Sequence, residues 1–314
     1  MSVAPRQSVA SSQSVSEKAG AGSSAGSVID SLASRFRRAR LHHGHGATDA
    51  ETEAFWLVAW ALKLDFATLD ATLEQPVSAA ALRRMDTIAE ERIATRTPLA
   101  YLLGEAWLGP WRFHVDRRVI VPRSFIAPML MAQMAPWIKR PGSVKRALDL
   151  CTGSGCLAIV AAHAFPDAQV DAVDLSGHAL QVARRNVKAH VLEERVALHK
   201  GNLFAPLAAK RYELIVTNPP YVKATAMARL PAEYRAEPAM ALAGGKDGLD
   251  LVARIFAQAS RHLTPKGLLV METGHQRAAV ERRWPRLPLT WADVADGGIV
   301  CLISRDALEA FSVG

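Results

Sequence analysis

From Val144 onward the chain alternates short apolar runs with stretches of helical periodicity, and no other feature restricts its fold as much. Strands are expected at 146–150, 168–174, 196–200, 212–217, 267–272, 289–293 and 299–304. Helices are expected at 155–164, 178–190 and 248–262. A strand followed by a helix must cross over before the next strand can pair beside it. Repetition of that unit yields an α/β fold, a mostly parallel seven-stranded sheet with helices on both faces. Ligands in such sheets bind beyond the carboxyl ends of the strands, where the winding reverses. Two segments fall at such ends. Asp149-Leu150-Cys151-Thr152-Gly153-Ser154-Gly155-Cys156 closes the first strand, and Asn218-Pro219-Pro220-Tyr221 follows the fourth.

The chain ahead of this region reads differently. Residues 1–27 are Ser, Ala, Gly, Val and Gln without apolar period, and a disordered tail is expected there. Val28 then opens a helix, with Ile29, Leu32, Phe36 and Ala39 at helical spacing, ending at His42-His43-Gly44. A second helix is expected from Thr48, capped by Thr48 and Glu51 as a capping box, with Phe55, Val58, Ala59 and Leu62 as one apolar stripe. A third spans 78–95. Residues 28–104 thus read as a small helical domain with nothing catalytic in it. A hairpin linker is expected over 105–123, turning at Gly109-Pro110. Ser124 can cap a helix to Ala135, and the large domain runs over 124–314.

Composition excludes several classes. The longest apolar runs are too short or too broken by charge to span a bilayer, and no secretory layout stands at the N-terminus. No membrane partner is expected. Cys151, Cys156 and Cys301 are too few and wrongly spaced for a disulfide framework or a four-ligand zinc site, so a reducing cytosol fits. His42, His43 and His45 lack nearby Cys or a second His pair, and read as a solvated loop, not a metal site. The 314 residues carry a net charge of +8. Beyond residue 110 stand 27 Lys and Arg against 18 Asp and Glu, a net +9. That excess suits a partner with phosphates, and equally a merely soluble basic surface.

The first motif suits a nucleoside. Glycines at 153 and 155 let the backbone approach a ligand, and Asp174 ends the second strand 19 residues past Gly155. An acidic side chain there can accept both hydroxyls of a ribose. The loop is not Gly-x-Gly-x-x-Gly and no Gly-Lys-Ser/Thr follows, so pyrophosphate is weakly supported. S-adenosylmethionine, with a cationic sulfonium near Asp149, suits it better.

The second motif suits an acceptor nitrogen. The lone pair of an amide, or of an exocyclic amino group on a base, is delocalised and attacks poorly. Two acceptors aimed at its N–H groups hold it in line and favour the charge that grows on it. The Asn218 side chain can supply one oxygen and the Pro219 carbonyl the other. Proline fixes φ and biases its predecessor to an extended form, so Pro219 and Pro220 aim these groups in advance. Tyr221 can lie flat on the planar group. Glu272, on the fifth strand, is either support for this site or a solvated strand end.

With further stretches, these motifs resemble the protein-glutamine N(5)-methyltransferases of the HemK/PrmB type. The others are Gly44-His45-Gly46-Ala47-Thr48-Asp49, Arg96-x-Pro98-x-Ala100-Tyr101-Leu102, Val121-Pro122-Arg123-Ser124, Ala172-Val173-Asp174, Leu230-Pro231-Ala232-Glu233-Tyr234-Arg235-x-Glu237-Pro238, Leu242-Ala243-x-Gly245-x-Asp247-Gly248-Leu249 and Asp296-Gly297-Gly298. The resemblance runs from about residue 28 to the C-terminus. It implies a Rossmann-like class I S-adenosylmethionine-dependent methyltransferase domain behind a small helical one. It also implies cofactor contacts at Cys151, Thr152, Gly153, Ser154, Gly155, Asp174, Asn202, Leu203 and Asn218. Siblings that modify peptide-release factors have Val-Pro-Arg-Pro-Glu-Thr-Glu where this chain has Val121-Pro122-Arg123-Ser124-Phe125-Ile126. That difference implies the branch acting on large-subunit ribosomal protein uL3, free or in an assembly precursor, with rRNA contact through the basic face. The family usually has Asp where this chain has Asn202, whose oxygen can still accept from the adenine amine but adds no charge. Adenine-N6 methylation of nucleic acid uses the same four-residue site, but no target-recognition domain or aromatic-rich basic insert is seen. A non-catalytic assembly factor would have no use for intact Gly153, Gly155, Asp174 and Asn218.

Overall fold

The computed structural model describes residues 22–207, 209–293 and 299–312. Its contacts divide the chain into two compact units, Met1–Leu103 and Gly104–Gly314. The first unit is helical: α1 Ala25–Arg38, α2 Ala50–Leu62, α3 Phe66–Asp70, α4 Ala79–Thr95 and α5 Leu99–Leu103. α1 starts three residues before Val28, because the Ser24 hydroxyl caps it by accepting from the Ser27 amide. Most of the expected tail, residues 1–21, lies outside the described residues.

The cap of α2 is Asp49 rather than Thr48. Its Oδ1 accepts from the Thr52 amide at 2.7 Å, while Thr48 Oγ1 only donates to the same carboxylate. Glu51 pairs with Arg37 and closes no box. Nor does α2 carry a single stripe. Trp56, Leu57, Val58 and Ala59 are all buried in succession, so the helix is covered around most of its girth. The histidine loop is likewise only partly solvated, with His42 exposed and the other two drawn inward. His45 is buried, and His43 Nδ1 lies 2.5 Å from Glu53 Oε2. Glu53 Oε1 also accepts from Arg92 Nε at 2.6 Å. A carboxylate taken out of water needs such partners, and the loop is drawn inward to provide one.

The second unit opens with the hairpin β1 Glu105–Leu108 and β2 Trp111–His114, which belongs to this unit rather than linking two. α6 Ile126–Met131 is shorter than expected. The backbone leaves the helix at Gln133 and Met134, both with positive φ. Ser124 stands just ahead of it and accepts from the Ile126 amide at 3.1 Å. The sheet strands are β3 Arg146–Leu150, β4 Gln169–Asp174, β5 Val196–Lys200, β6 Tyr212–Thr217, β7 Leu263–Glu272, β8 Thr290–Asp293 and β9 Ile299–Ser304. Helices α7 Cys156–Ala164, α8 Gly177–Ala189, α9 Ala224–Met227, α10 Ala232–Arg235, α11 Asp250–Ala259, α12 Arg277–Arg283 and α13 Arg305–Ser312 fill the crossovers and the C-terminus.

The strand order is β5-β4-β3-β6-β7-β9-β8, parallel from β5 to β7. β9 runs antiparallel between β7 and β8. The central strands are nearly continuous apolar runs because helices cover both faces. The chain winds outward from β3 through β4 to β5, then returns to lay β6 on the other side of β3, with Leu150 opposite Thr217. The reversal therefore lies between β3 and β6. Both motifs leave the sheet at that point.

Candidate active site

Asp149 sits near the end of β3, buried. Its Oδ2 accepts from Thr152 Oγ1 at 2.5 Å and from the Ala158 amide at 3.1 Å, while Oδ1 has no partner. Burial pushes its pKa up to about 7; the Thr152 and Ala158 bonds oppose that rise and the charge of Asp174 adds to it. The turn after it has positive φ at Cys151, Gly153 and Gly155. At Gly155 a Cβ would come within 3.2 Å of the Ala183 Cβ on α8, so the glycine also sets how closely helix and loop pack. The Gly153 amide donates to Asp174 Oδ2 and the Ser176 amide to Oδ1, both at 2.8 Å. Burial raises the Asp174 pKa against those bonds. Thr152 and Ser154 are buried and brace the loop. Asn186, which the sequence did not mark, holds it from behind, donating to the Ser154 carbonyl at 2.8 Å and accepting from the His114 amide at 2.7 Å.

A cleft of about 870 Å³ opens beside this turn. Of the anticipated residues, Cys151, Gly153, Asp174, Asn202, Leu203, Asn218 and Pro220 line it. Asp149, Thr152, Ser154, Gly155, Pro219 and Tyr221 adjoin these residues in the chain but are not among those that line the cleft. Arg118, Ile120, Met240 and Arg254 line it without having been anticipated. Arg254 matters for Asn202, because its Nη2 donates to Asn202 Oδ1 at 2.8 Å. The oxygen expected to meet an adenine amine is thus already shared with a guanidinium.

The acceptor motif is held from four sides. The Asn218 amide nitrogen donates to the Arg123 carbonyl through a long bond of 3.5 Å. Gln276 Nε2 donates to the Tyr221 carbonyl at 2.8 Å. Val222 bonds Leu242 and Gly244 through its backbone, at 2.9 and 2.8 Å. Gly274, at φ +55°, lies against the Tyr221 ring, where a Cβ would sit 2.5 Å from Cε2. Arg123 makes a two-pronged ion pair with the fully buried Glu237, at 2.5 and 2.7 Å, and Glu237 also accepts from the Val121 amide. Burial disfavours the Arg123 charge, but the Glu237 carboxylate outweighs it and holds the guanidinium protonated.

Glu272 is not a solvated strand end. It is buried, and its Oε2 accepts from Ser124 Oγ at 2.7 Å and from the Phe125 amide at 3.1 Å. Its Oε1 lies 3.5 Å from the Tyr221 hydroxyl. Burial, then the Glu272 charge, push the Tyr221 pKa up and keep the phenol neutral. The Arg123–Glu237 pair was the main omission from the sequence reading. Both residues lay inside marked stretches, but nothing local joins residues 114 apart.

The cleft fits a nucleoside that carries a positive charge. An unpartnered buried carboxylate oxygen on Asp149 supplies the negative side, and Asp174 is pinned by two amides with lone pairs to spare for hydroxyls. The family described as "Methyltransferase small domain" matches residues 129–233, and "PrmC N-terminal domain" matches 37–104. A Bordetella pertussis protein called ribosomal protein uL3 glutamine methyltransferase is 51% identical over 283 residues, covering 90% of this chain and 95% of its own length. One of the same name from Bradyrhizobium diazoefficiens is 50% identical over 269 residues, covering 84% of each. Among solved structures, the hMettl16 catalytic domain in complex with MAT2A 3′UTR hairpin 6 superposes with a TM-score of 0.50 at 16% identity, covering 69% of this chain and 82% of that one. That likeness speaks for the class I methyltransferase fold alone. The relatives identical at half their positions, over nearly their whole length, decide the narrower question: the chain belongs to the ribosomal protein uL3 glutamine methyltransferase family.

Proposed function

We propose that this protein methylates the side-chain amide nitrogen of a glutamine in ribosomal protein uL3, with S-adenosylmethionine as donor. The observation that carries the reading is the opening of Asn218 and Asp174 on one cleft at the sheet's winding reversal. S-adenosylmethionine supplies an electrophilic methyl carbon on a cationic sulfur. Everything else is done by the chain. Asp174, Gly153, Asn202 and Leu203 hold the nucleoside, and Asp149 sets the charge behind the loop.

The acceptor carboxamide is held by the Asn218 side-chain oxygen and the Pro219 carbonyl. Asn218 uses its donor end on Arg123, which turns the acceptor end into the part available to a substrate N–H. Each oxygen draws on one N–H as positive charge grows on nitrogen. The methylated nitrogen is strongly acidic and loses its proton to water, so no general base is required. Tyr221 stays neutral and packed, which keeps its ring rather than its charge in play. The substrate is uL3 carried in the cytosol, free or in a large-subunit precursor. The assigned residues all lie in Gly104–Gly314.

Asn218→Ala is the direct test. Turnover on uL3 is expected to fall by at least a hundredfold, as when one aimed group is lost from a transition-state site. Cofactor affinity by calorimetry is expected to change by less than about tenfold. Wild-type turnover in the variant would remove Asn218 from the mechanism. Loss of a single methyl-sized mass increment from uL3 in a deletion strain would identify the substrate.

A further inference from the structure

Four arginines and two tryptophans lie within α12 and the turn leading through β8. They are Arg277, Arg282, Arg283, Arg286, Trp284 and Trp291. No aromatic-rich basic insert stands out in the sequence. The fold makes one by turning a helix back onto a strand, so that residues 277 and 291 meet. The Arg277 guanidinium lies 5.3 Å from the Trp291 ring centroid, and that of Arg283 lies 5.0 Å from the Trp284 ring. A groove of about 710 Å³ is lined by Arg277, Glu281, Trp284, Pro285 and Trp291. Arg277 is paired with Glu281 at 3.0 Å, and Arg283 with Asp247 at 3.0 Å. Arg282 and Arg286 are exposed and, among the described residues, have no carboxylate partner.

This surface adjoins the acceptor site. α12 begins one residue after Gln276, which holds the Tyr221 carbonyl. Arg283 at its far end bonds Asp247, whose own carbonyl accepts from the same Gln276 at 3.3 Å. One short helix therefore connects the groove to the tetrapeptide that grips the glutamine.

Resting on the functional reading above, we infer that this groove docks RNA: the substrate is presented by the nucleic acid to which it is bound. The chemistry favours RNA over a protein segment. A protein that binds rRNA is as a rule basic, because most of its contacts are to phosphate. The exposed Arg282 and Arg286 near the groove would repel such a protein arriving alone, and would attract the same protein arriving with its RNA. Guanidinium groups on indole rings present flat, cationic platforms on which an unpaired base can stack. The two unpartnered arginines supply the phosphate contacts.

The test is the variant Arg282→Gln with Arg286→Gln, both exposed and outside the catalytic machinery. RNA affinity is read by fluorescence anisotropy, with an oligouridylate of about 20 nucleotides, as salt rises from about 50 to 200 mM. Turnover is read in parallel on free uL3 and on uL3 within an RNA-containing precursor particle. The double variant is expected to bind RNA about tenfold more weakly at low salt. Its salt slope should be shallower by about 1.4, the loss of two contacts to single-stranded phosphate. Turnover on the particle should fall in step, while turnover on free uL3 and cofactor affinity hold at wild-type values. Should the double variant fail to fold, each single substitution is expected to give half that slope change. RNA affinity unchanged by the substitutions would overturn the proposal. So would tighter wild-type binding of polyglutamate than of RNA, which would mark a seat for an acidic peptide. If the wild-type protein methylates uL3 in neither form, the functional reading itself falls, whatever the RNA result.

Discussion

Asp149 is half protonated near neutral pH, because burial and the nearby Asp174 charge carry its pKa up to about 7. The folded chain then binds more protons than the unfolded one between the ordinary value of 3.8 and about 7. Stability from this group is complete below 3.8 and is lost as pH rises through about 7. A cation placed near the carboxylate favours its ionised form. S-adenosylmethionine binding should therefore release roughly half a proton at neutral pH and almost none near pH 9. Calorimetry in two buffers of different ionisation heat measures this directly, and Asp149→Asn should abolish the release. A buffer-independent heat in the wild-type protein would mean that Asp149 does not sense the sulfonium. Glu53, in the helical unit, makes the complementary case. Its pKa lies below the ordinary range because, although burial pushes it up, His43 and Arg92 together outweigh that push. Glu53→Ala takes the carboxylate from the buried Arg92 guanidinium and from His43, and should lower unfolding free energy by about 3 kcal/mol in urea titration.

At the scale of elements, the loops after β6 and β7 depend on one another more than on their own sequences. Gly274 ends the stretch after β7, yet its lack of a side chain serves the Tyr221 ring from the stretch after β6. Gly274→Ala combines strained backbone at φ +55° with a collision against that ring. A destabilisation of about 1–3 kcal/mol is expected in a melting experiment. Turnover should drop further than stability accounts for, because Tyr221 must move. Most strands of the sheet were legible within one or two residues, since buried parallel strands write themselves as apolar runs. Caps and helix ends were less so. Thr48-Glu51 satisfies the capping-box spacing, but Asp49 sits beside it with a stronger acceptor and takes the amide. The stripe seen in α2 was real but incomplete, because a helix covered on most sides has no single face to reveal.

For the whole molecule, the parts of the site that were legible are those where a short motif meets the end of a strand. Cys151, Gly153, Asp174, Asn218 and Pro220 reach the cleft because strand, turn and ligand face are consecutive in the chain. The parts that were hidden depend on contacts across the fold. Asn186 reaches back 72 residues to His114, and the role of Arg254 depends on a side chain 52 residues away. Charge behaves in the same way. The +9 beyond residue 110 is read from the sequence, while the meeting of Arg277 with the Trp291 ring needed the folded chain. The placement of β9 has a consequence for how the protein is made. Because this last strand slots between two earlier ones, β8 waits at the rim with nothing of the sheet to hold it until Ile299–Ser304 has left the ribosomal tunnel. A newborn copy therefore cannot add its strands to the sheet one by one as they emerge: β8 gains its place only after the strand that follows it in the chain has been made.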